Sequence, residues 1–74
     1  GDLIMPDLSL TDAIELAAKD LPEGWTIRIE IMAGYGGVVL EDRLLNETDF
    51  DDPESSFAQR ICDAVEYAKA NEGN

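Results

Sequence analysis

The chain has 74 residues, of which 17 are acidic and 5 are basic, and its formal net charge is −12 with no histidine. This balance argues against direct binding of DNA or RNA, because nucleic-acid binders need Lys and Arg to replace counterions on phosphates. A strongly negative field instead attracts basic partners. The acidity is equally compatible with a surface that only keeps a small protein soluble.

The apolar residues do not form a run long enough for a membrane span, and no segment has the plan of a signal peptide. The single cysteine excludes an internal disulfide, which a small secreted domain usually needs. The sequence therefore predicts one cytoplasmic domain over residues 1–74, with no membrane association and a small core.

The first helix is predicted over about residues 10–21, after a leader at residues 1–6. Within the leader, the four residues before Met5 are interpreted as the remnant of a cleaved tag. Ser9 followed by Asp12 is typical of a helix start, with a capping hydroxyl and an acid near the positive end of the helix dipole. The apolar stripe predicted at helical spacing consists of Leu10, Ala13, Ile14, Ala17, Ala18 and Leu21.

A β-hairpin is predicted over about residues 25–45, because isoleucines alternate with charged residues from 27 to 31 and a glycine-rich stretch follows. The glycines there are interpreted as turn residues rather than as a phosphate-binding loop, since a strand and not a helix follows them. Pairing Ala33 with Val38 would place Ile27 opposite Leu44, so that the large apolar side chains share one face.

An acidic loop is predicted at residues 46–52, and a second helix over about 53–70. Asp52 would cap this helix, and Pro53 would occupy its first position, where the missing N–H costs nothing. The apolar stripe predicted for the helix consists of Phe57, Ile61, Ala64, Val65 and Ala68.

These elements predict an α+β fold with two layers in the order α-β-β-α, in which an antiparallel hairpin packs on two helices. Two strands make a platform only about one helix wide, and a lone hairpin is marginally stable in water. We therefore expect a third strand, taken from the leader or from residues 46–50, or else a homodimer in which a second copy completes a four-stranded sheet.

Catalysis is not expected, because the chain lacks the histidine that most often activates a nucleophile such as Ser55, Ser56 or Cys62. Cys62 is instead interpreted as a small, partly buried core residue, and Trp25 as a core anchor. A short chain also leaves little volume for a substrate cleft. No cofactor is predicted.

Metal binding is not expected either. Asp49, Asp51 and Glu54 have spacings loosely like those of a calcium loop, but Pro53 and a new helix interrupt the run, and the glycine and final glutamate of an EF-hand are missing. A zinc site would need cysteine and histidine ligands that the chain does not supply.

Two sets of residues are candidates for contact with a partner protein. The carboxylates that would meet a basic surface are Glu41, Asp42, Glu47, Asp49, Asp51, Asp52 and Glu54. Apolar residues that do not fit the core pattern would form anchors within that charged rim, an arrangement typical of binding surfaces. They are Leu16, Met32, Tyr35 and Val39.

The chain is short, acidic and histidine-free, combines helices with a small sheet, and contains the dense carboxylate run DFDDPE at residues 49–54. In these features it resembles the small accessory proteins of phages and mobile elements, among them anti-CRISPR and anti-restriction inhibitors. The resemblance implies a non-catalytic protein that binds the basic nucleic-acid site of a host defence protein, in some cases by mimicking DNA. The alternative is a homodimeric structural or assembly protein whose acidity only maintains solubility.

Overall fold

The structure, a computed structural model of the chain, describes residues 9–72. The elements are α1 (Leu10–Asp20), β1 (Thr26–Met32), β2 (Tyr35–Glu41), β3 (Glu47–Phe50) and α2 (Phe57–Asn71). The strands form an antiparallel sheet in the order β1-β2-β3, so the predicted α+β fold is confirmed. The third strand comes from the segment predicted mainly as an acidic loop, whereas the predicted leader at residues 1–6 lies outside the described residues.

The helix α1 begins as predicted, with the Ser9 side chain accepting a hydrogen bond from the Asp12 backbone N–H at 3.0 Å. Only Ala13 and Ala17 of its apolar stripe are buried, while the side chains of Leu10 and Ile14 remain 45% and 47% exposed. The reason is geometric: α2 lies over β2 and β3, and α1 packs mainly against α2. A narrow sheet has room for about one helix.

The predicted hairpin register is wrong by four residues. Ile27 pairs with Leu40 rather than with Leu44, because the turn contains only Ala33 and Gly34. Gly34, the second residue of this turn, has φ +79°, a left-handed conformation that glycine adopts without strain. An even shift preserves the alternation of faces, so the isoleucines still lie on the core side. Leu44 moves into the loop after β2, where it is 80% exposed.

The second helix begins four residues later than predicted, at Phe57 with Ser56 as its N-cap. The Ser56 hydroxyl accepts a hydrogen bond from the Gln59 N–H at 3.1 Å. Asp52 instead caps a separate turn, in which its carboxylate accepts from the Glu54 N–H at 3.0 Å and the Ser55 hydroxyl at 3.2 Å. The same Asp-Pro-Glu chemistry that starts a helix also stabilises this turn.

The core lies between β2 and α2, where the largest fully buried side chains are Leu40, Ile61 and Val38. Partly buried Trp25 packs against it, as does Cys62, which agrees with the predictions for both residues. Arg60 is also buried and is 8% exposed. Within residues 9–72, neither helix is long and apolar enough to cross a membrane.

Candidate protein-binding site

The helices cover only one side of the sheet, and we call the opposite side the outer face. Its membership follows from the strand register, because Arg28 pairs with Val39 and Val39 with Asp49, whereas their neighbours Val38 and Leu40 point into the core. The outer face therefore carries Thr26, Arg28, Glu30, Met32, Tyr35, Gly37, Val39, Glu41, Glu47 and Asp49.

Four carboxylates lie on the outer face with a single guanidinium. Arg28 donates from Nε to Glu30 Oε2 and from Nη2 to Glu47 Oε2, both at 2.9 Å. These hydrogen bonds, first to Glu47 and then to Glu30, raise the pKa of Arg28 above its ordinary value. The ion pair between Arg28 and Glu47 links the two edge strands, β1 and β3, across β2. Because Arg28 is shared between two acids, the face as a whole stays negative.

The remaining two carboxylates of the outer face are not neutralised. Glu41 is directly opposite Glu47 in the sheet, and Asp49 is opposite the apolar Val39. Neither Glu41 nor Asp49 forms an ion pair with any residue in the described part of the chain. Like charges directly opposite each other destabilise a sheet. The repulsion between Glu41 and Glu47 therefore lowers the stability of the sheet, and the negative charge at this end of the outer face is retained in spite of that cost.

Two of the predicted apolar anchors lie beside this charge. Met32 and Tyr35 are paired at the end of the hairpin, with 59% and 38% of their surface exposed. The Tyr35 ring lies across Gly37, so that a Cβ there would collide with its hydroxyl. The tyrosine is therefore held over the sheet rather than extended into solvent.

The other two apolar candidates are not exposed side chains of the outer face. Val39 is only 2% exposed, so the expectation that it is an exposed apolar residue is wrong. It lies on the central strand, and its direct neighbours Arg28 and Asp49 flank it on both sides. Leu16 is 41% exposed, but it belongs to α1 in the other layer of the fold.

Asp42, a predicted contact, has its carboxylate engaged within the loop between β2 and β3. It accepts hydrogen bonds from the backbone N–H groups of Leu44 and Asn46 at 2.8 and 2.9 Å, and from Asn46 Nδ2 at 3.2 Å. The backbone bond from Asn46, with the bonds from Leu44 and the Asn46 side chain, holds the pKa of Asp42 below its usual value. These bonds stabilise a loop in which Leu45 adopts φ +69°.

Replacing Asp42 by Ala is expected to lower the Tm at neutral pH. A carboxyl with a depressed pKa binds fewer protons when folded, so its contribution is complete above the unfolded pKa of about 3.9 and is lost as pH falls through the folded pKa. The Tm difference from the wild type should therefore stay constant down to about pH 4 and shrink as the pH is lowered further. Thermal unfolding followed by circular dichroism from pH 7 downward measures it. A difference that stays constant below about pH 4 as well would contradict the prediction, and Asp42→Asn, which keeps an acceptor oxygen, serves as the control.

The predicted acidic residues therefore fall into three groups. Glu41, Glu47 and Asp49 lie on the outer face. Asp51 and Glu54 are exposed in the loop before α2, which Arg60 holds by donating from Nε to the Asp52 carbonyl at 3.0 Å. Asp42 and Asp52 stabilise turns through their carboxylates. Sequence reasoning did not include Glu30 among the candidate residues, although its alternation with the isoleucines places it on the outer face.

Among residues 9–72, no group of three or more His, Cys, Asp or Glu side chains is placed to hold a metal ion. Protein-family models, curated proteins and solved structures were compared with the chain, and none of them matched. The outer face is therefore interpreted from its own geometry and charge.

Proposed function

We propose that this protein is a non-catalytic binding module whose outer face recognises a basic surface on a larger protein. The observation that carries the proposal is the open side of the sheet, where Glu30, Glu41, Glu47 and Asp49 accompany only one basic residue. Exposed Met32 and Tyr35 at one end supply apolar contact next to this charge. A buried anchor with a charged surround is the usual composition of a protein interface.

The basic surface in this proposal is the nucleic-acid site of a host defence protein, so that the module acts as an inhibitor of the phage type. The spacing of the charges supports this choice. Along β3, Glu47 and Asp49 are separated by two strand residues, or roughly 6.7 Å, and the adjacent strand with Glu41 lies about 4.8 Å away. Rows of fixed negative charge of this kind compete with phosphates for Lys and Arg side chains.

The rigidity of the sheet supports the same function. The backbone that carries these carboxylates is held by strand pairing, so that less backbone entropy is lost on binding than with acids on a mobile tail. The charge also steers a basic partner toward the face and raises the association rate, most strongly at low salt.

The test compares the immobilised wild-type protein with the double variant Glu41→Gln and Asp49→Asn, using capture from a lysate of the host cell. Both substitutions remove charge from the outer face without touching a described ion pair. We expect capture of the partner to become on the order of tenfold weaker. Double-stranded DNA added as a competitor should release the partner from the wild-type protein.

The matched control carries Glu15→Gln and Asp20→Asn, two exposed acids of α1 in the other layer, and so has the same net charge as the double variant. It should retain the partner. Equal losses in both variants would show that the partner responds only to overall acidity. If salt releases the partner but DNA does not, the partner binds through a basic surface that is not its nucleic-acid site. The proposed mimicry of nucleic acid would then be wrong.

A further inference from the structure

The strand β1 forms one edge of the sheet and is unusually open for an edge strand. Within the described part of the chain it pairs only with β2. It has seven residues and contains neither the proline nor the lysine that commonly protects a sheet edge from pairing. Its core-side residues Ile29 and Ile31 are 37% and 79% exposed.

The hairpin turn determines which backbone groups face this free edge. Met32 and Tyr35 close a two-residue turn, so they exchange both hydrogen bonds with each other. Hydrogen-bonded and non-bonded positions then alternate along β1. The N–H and C=O groups of Ile27, Ile29 and Ile31 consequently point away from β2, and no other strand pairs with them within residues 9–72.

The sequence of β1 is symmetric around Ile29. One isoleucine stands two positions to each side, and the adjacent positions carry opposite charges, Arg28 before it and Glu30 after it. From residue 27 to residue 31, an antiparallel copy of the strand centred on Ile29 would therefore place isoleucine opposite isoleucine and arginine opposite glutamate. Such self-complementarity is what a twofold interface between identical chains requires.

We propose that β1 pairs with β1 of a second copy of this chain, forming a homodimer with a continuous six-stranded sheet. The twofold axis of the dimer passes between Ile29 and Ile29 of the partner subunit. On the core side, Ile27 lies opposite Ile31 of the partner subunit, and on the outer side, Arg28 lies opposite the partner's Glu30. This charge complementarity identifies a second copy as the occupant of the edge.

The surface beside the edge is also apolar. A groove of about 290 Å³ separates α1 from β1, and its lining consists of Ile14, Ala17, Ala18, Leu21, Ile27, Ile29 and Ile61. Pairing along β1 brings isoleucines of the partner subunit to the mouth of this groove. The half-exposed Ile14 is then covered, which accounts for apolar surface that α1 leaves open within one chain.

This dimer is independent of the proposed binding function, since the variants at Glu41 and Asp49 lie outside β1. Binding can fail while the dimer persists, and the reverse also holds. If both are correct, the two outer faces lie side by side and present a longer acidic surface.

The first experiment measures molar mass by sedimentation across a wide concentration range, at salt that screens the charge of −12 on each chain. We expect a reversible dimer of the 8.1 kDa chain. Ile31→Lys should abolish it by placing an ammonium group in the apolar part of the interface. Leu44→Lys is the control, because Leu44 is as exposed as Ile31, at 80% against 79%, but lies in the loop after β2. A chain that stays monomeric, or a dimer insensitive to Ile31→Lys, would overturn the proposal.

The second experiment exchanges charges between Arg28 and Glu30. Because Arg28 also pairs with Glu30 and Glu47 of its own chain, circular dichroism first verifies that each variant is folded. Arg28→Glu and Glu30→Arg each place like charges opposite each other twice in the interface, so self-association should weaken about tenfold or more. Mixing the two variants restores opposite charges at both pairs, and a heterodimer should form. Failure of the mixture to associate more tightly than either variant would also overturn the proposed register.

Discussion

Leu40→Ala is expected to reduce the free energy of unfolding by about 3 kcal/mol, within the range for a buried leucine. Leu40 lies on the central strand, is 1% exposed, and packs against Ala64 and Ala68 of α2. Small alanines on the facing helix cannot move inward to fill the space, so a cavity remains. A chain of this size has a total stability of roughly 4–11 kcal/mol, so the loss is a large fraction of it.

Denaturant unfolding monitored by circular dichroism tests this prediction. Leu44→Ala is the matched control, because it removes the same atoms from a leucine that is 80% exposed. Its effect should stay within about 0.5 kcal/mol. Similar losses in the two variants would contradict the position of Leu40 in the core, and with it the observed strand register.

The two leucines also show what the sequence determines about the sheet and what it leaves open. Alternation fixes which face a side chain occupies, so the isoleucines of β1 were placed correctly. It does not fix the register, because any even shift keeps the same face apolar. The position of the turn determines the register, and the glycine-rich stretch offered several positions for the turn. Gly34 is the turn glycine, whereas Gly36 and Gly37 lie within β2.

The beginning of α2 was misplaced for a related reason. Asp52 and Ser56 are both good N-caps, and the sequence from Pro53 onward satisfies the rules for a first helical turn. Local chemistry alone does not distinguish a helix start from a capped turn. The structure selects Ser56, and Arg60, one turn later, then reaches back to the Asp52 carbonyl.

The sequence predicted the negative charge of the candidate site but not which residues form it. Composition and the acidic run indicated a surface for basic partners, and that function stays a prediction. Which carboxylates are available depends on hydrogen bonds that join distant residues, such as Arg28 to Glu47, and on turns that use Asp42 and Asp52. The burial of Val39 follows only from a third strand, since in a two-stranded hairpin that residue would lie at an edge.

Arg60→Met is expected to reduce the free energy of unfolding by about 2–3 kcal/mol, because hydrogen bonds from a charged group contribute about 1.5–3 kcal/mol. The guanidinium donates to the Asp52 carbonyl at 3.0 Å and to the Gly36 carbonyl at 3.2 Å, and it lies 4.8 Å from the centre of the Phe57 ring. It forms no ion pair with a carboxylate among residues 9–72. Methionine preserves the apolar length of the side chain, so the loss reports the polar contacts.

Two comparisons distinguish this role from a simple effect of charge. Arg60→Lys keeps the charge but lacks the planar fork that reaches two carbonyls at once, so it should recover only part of the stability. Arg43→Met removes a guanidinium whose side chain is 50% exposed and pairs with Glu72, and its effect should not exceed about 1 kcal/mol. Hydrogen exchange adds a local measurement. In Arg60→Met the Ser55 amide, which donates to the Asp52 carbonyl at 3.1 Å, should lose protection before the strands of the sheet do. Unchanged protection there would mean that the loop with Asp51 and Glu54 is held by other contacts.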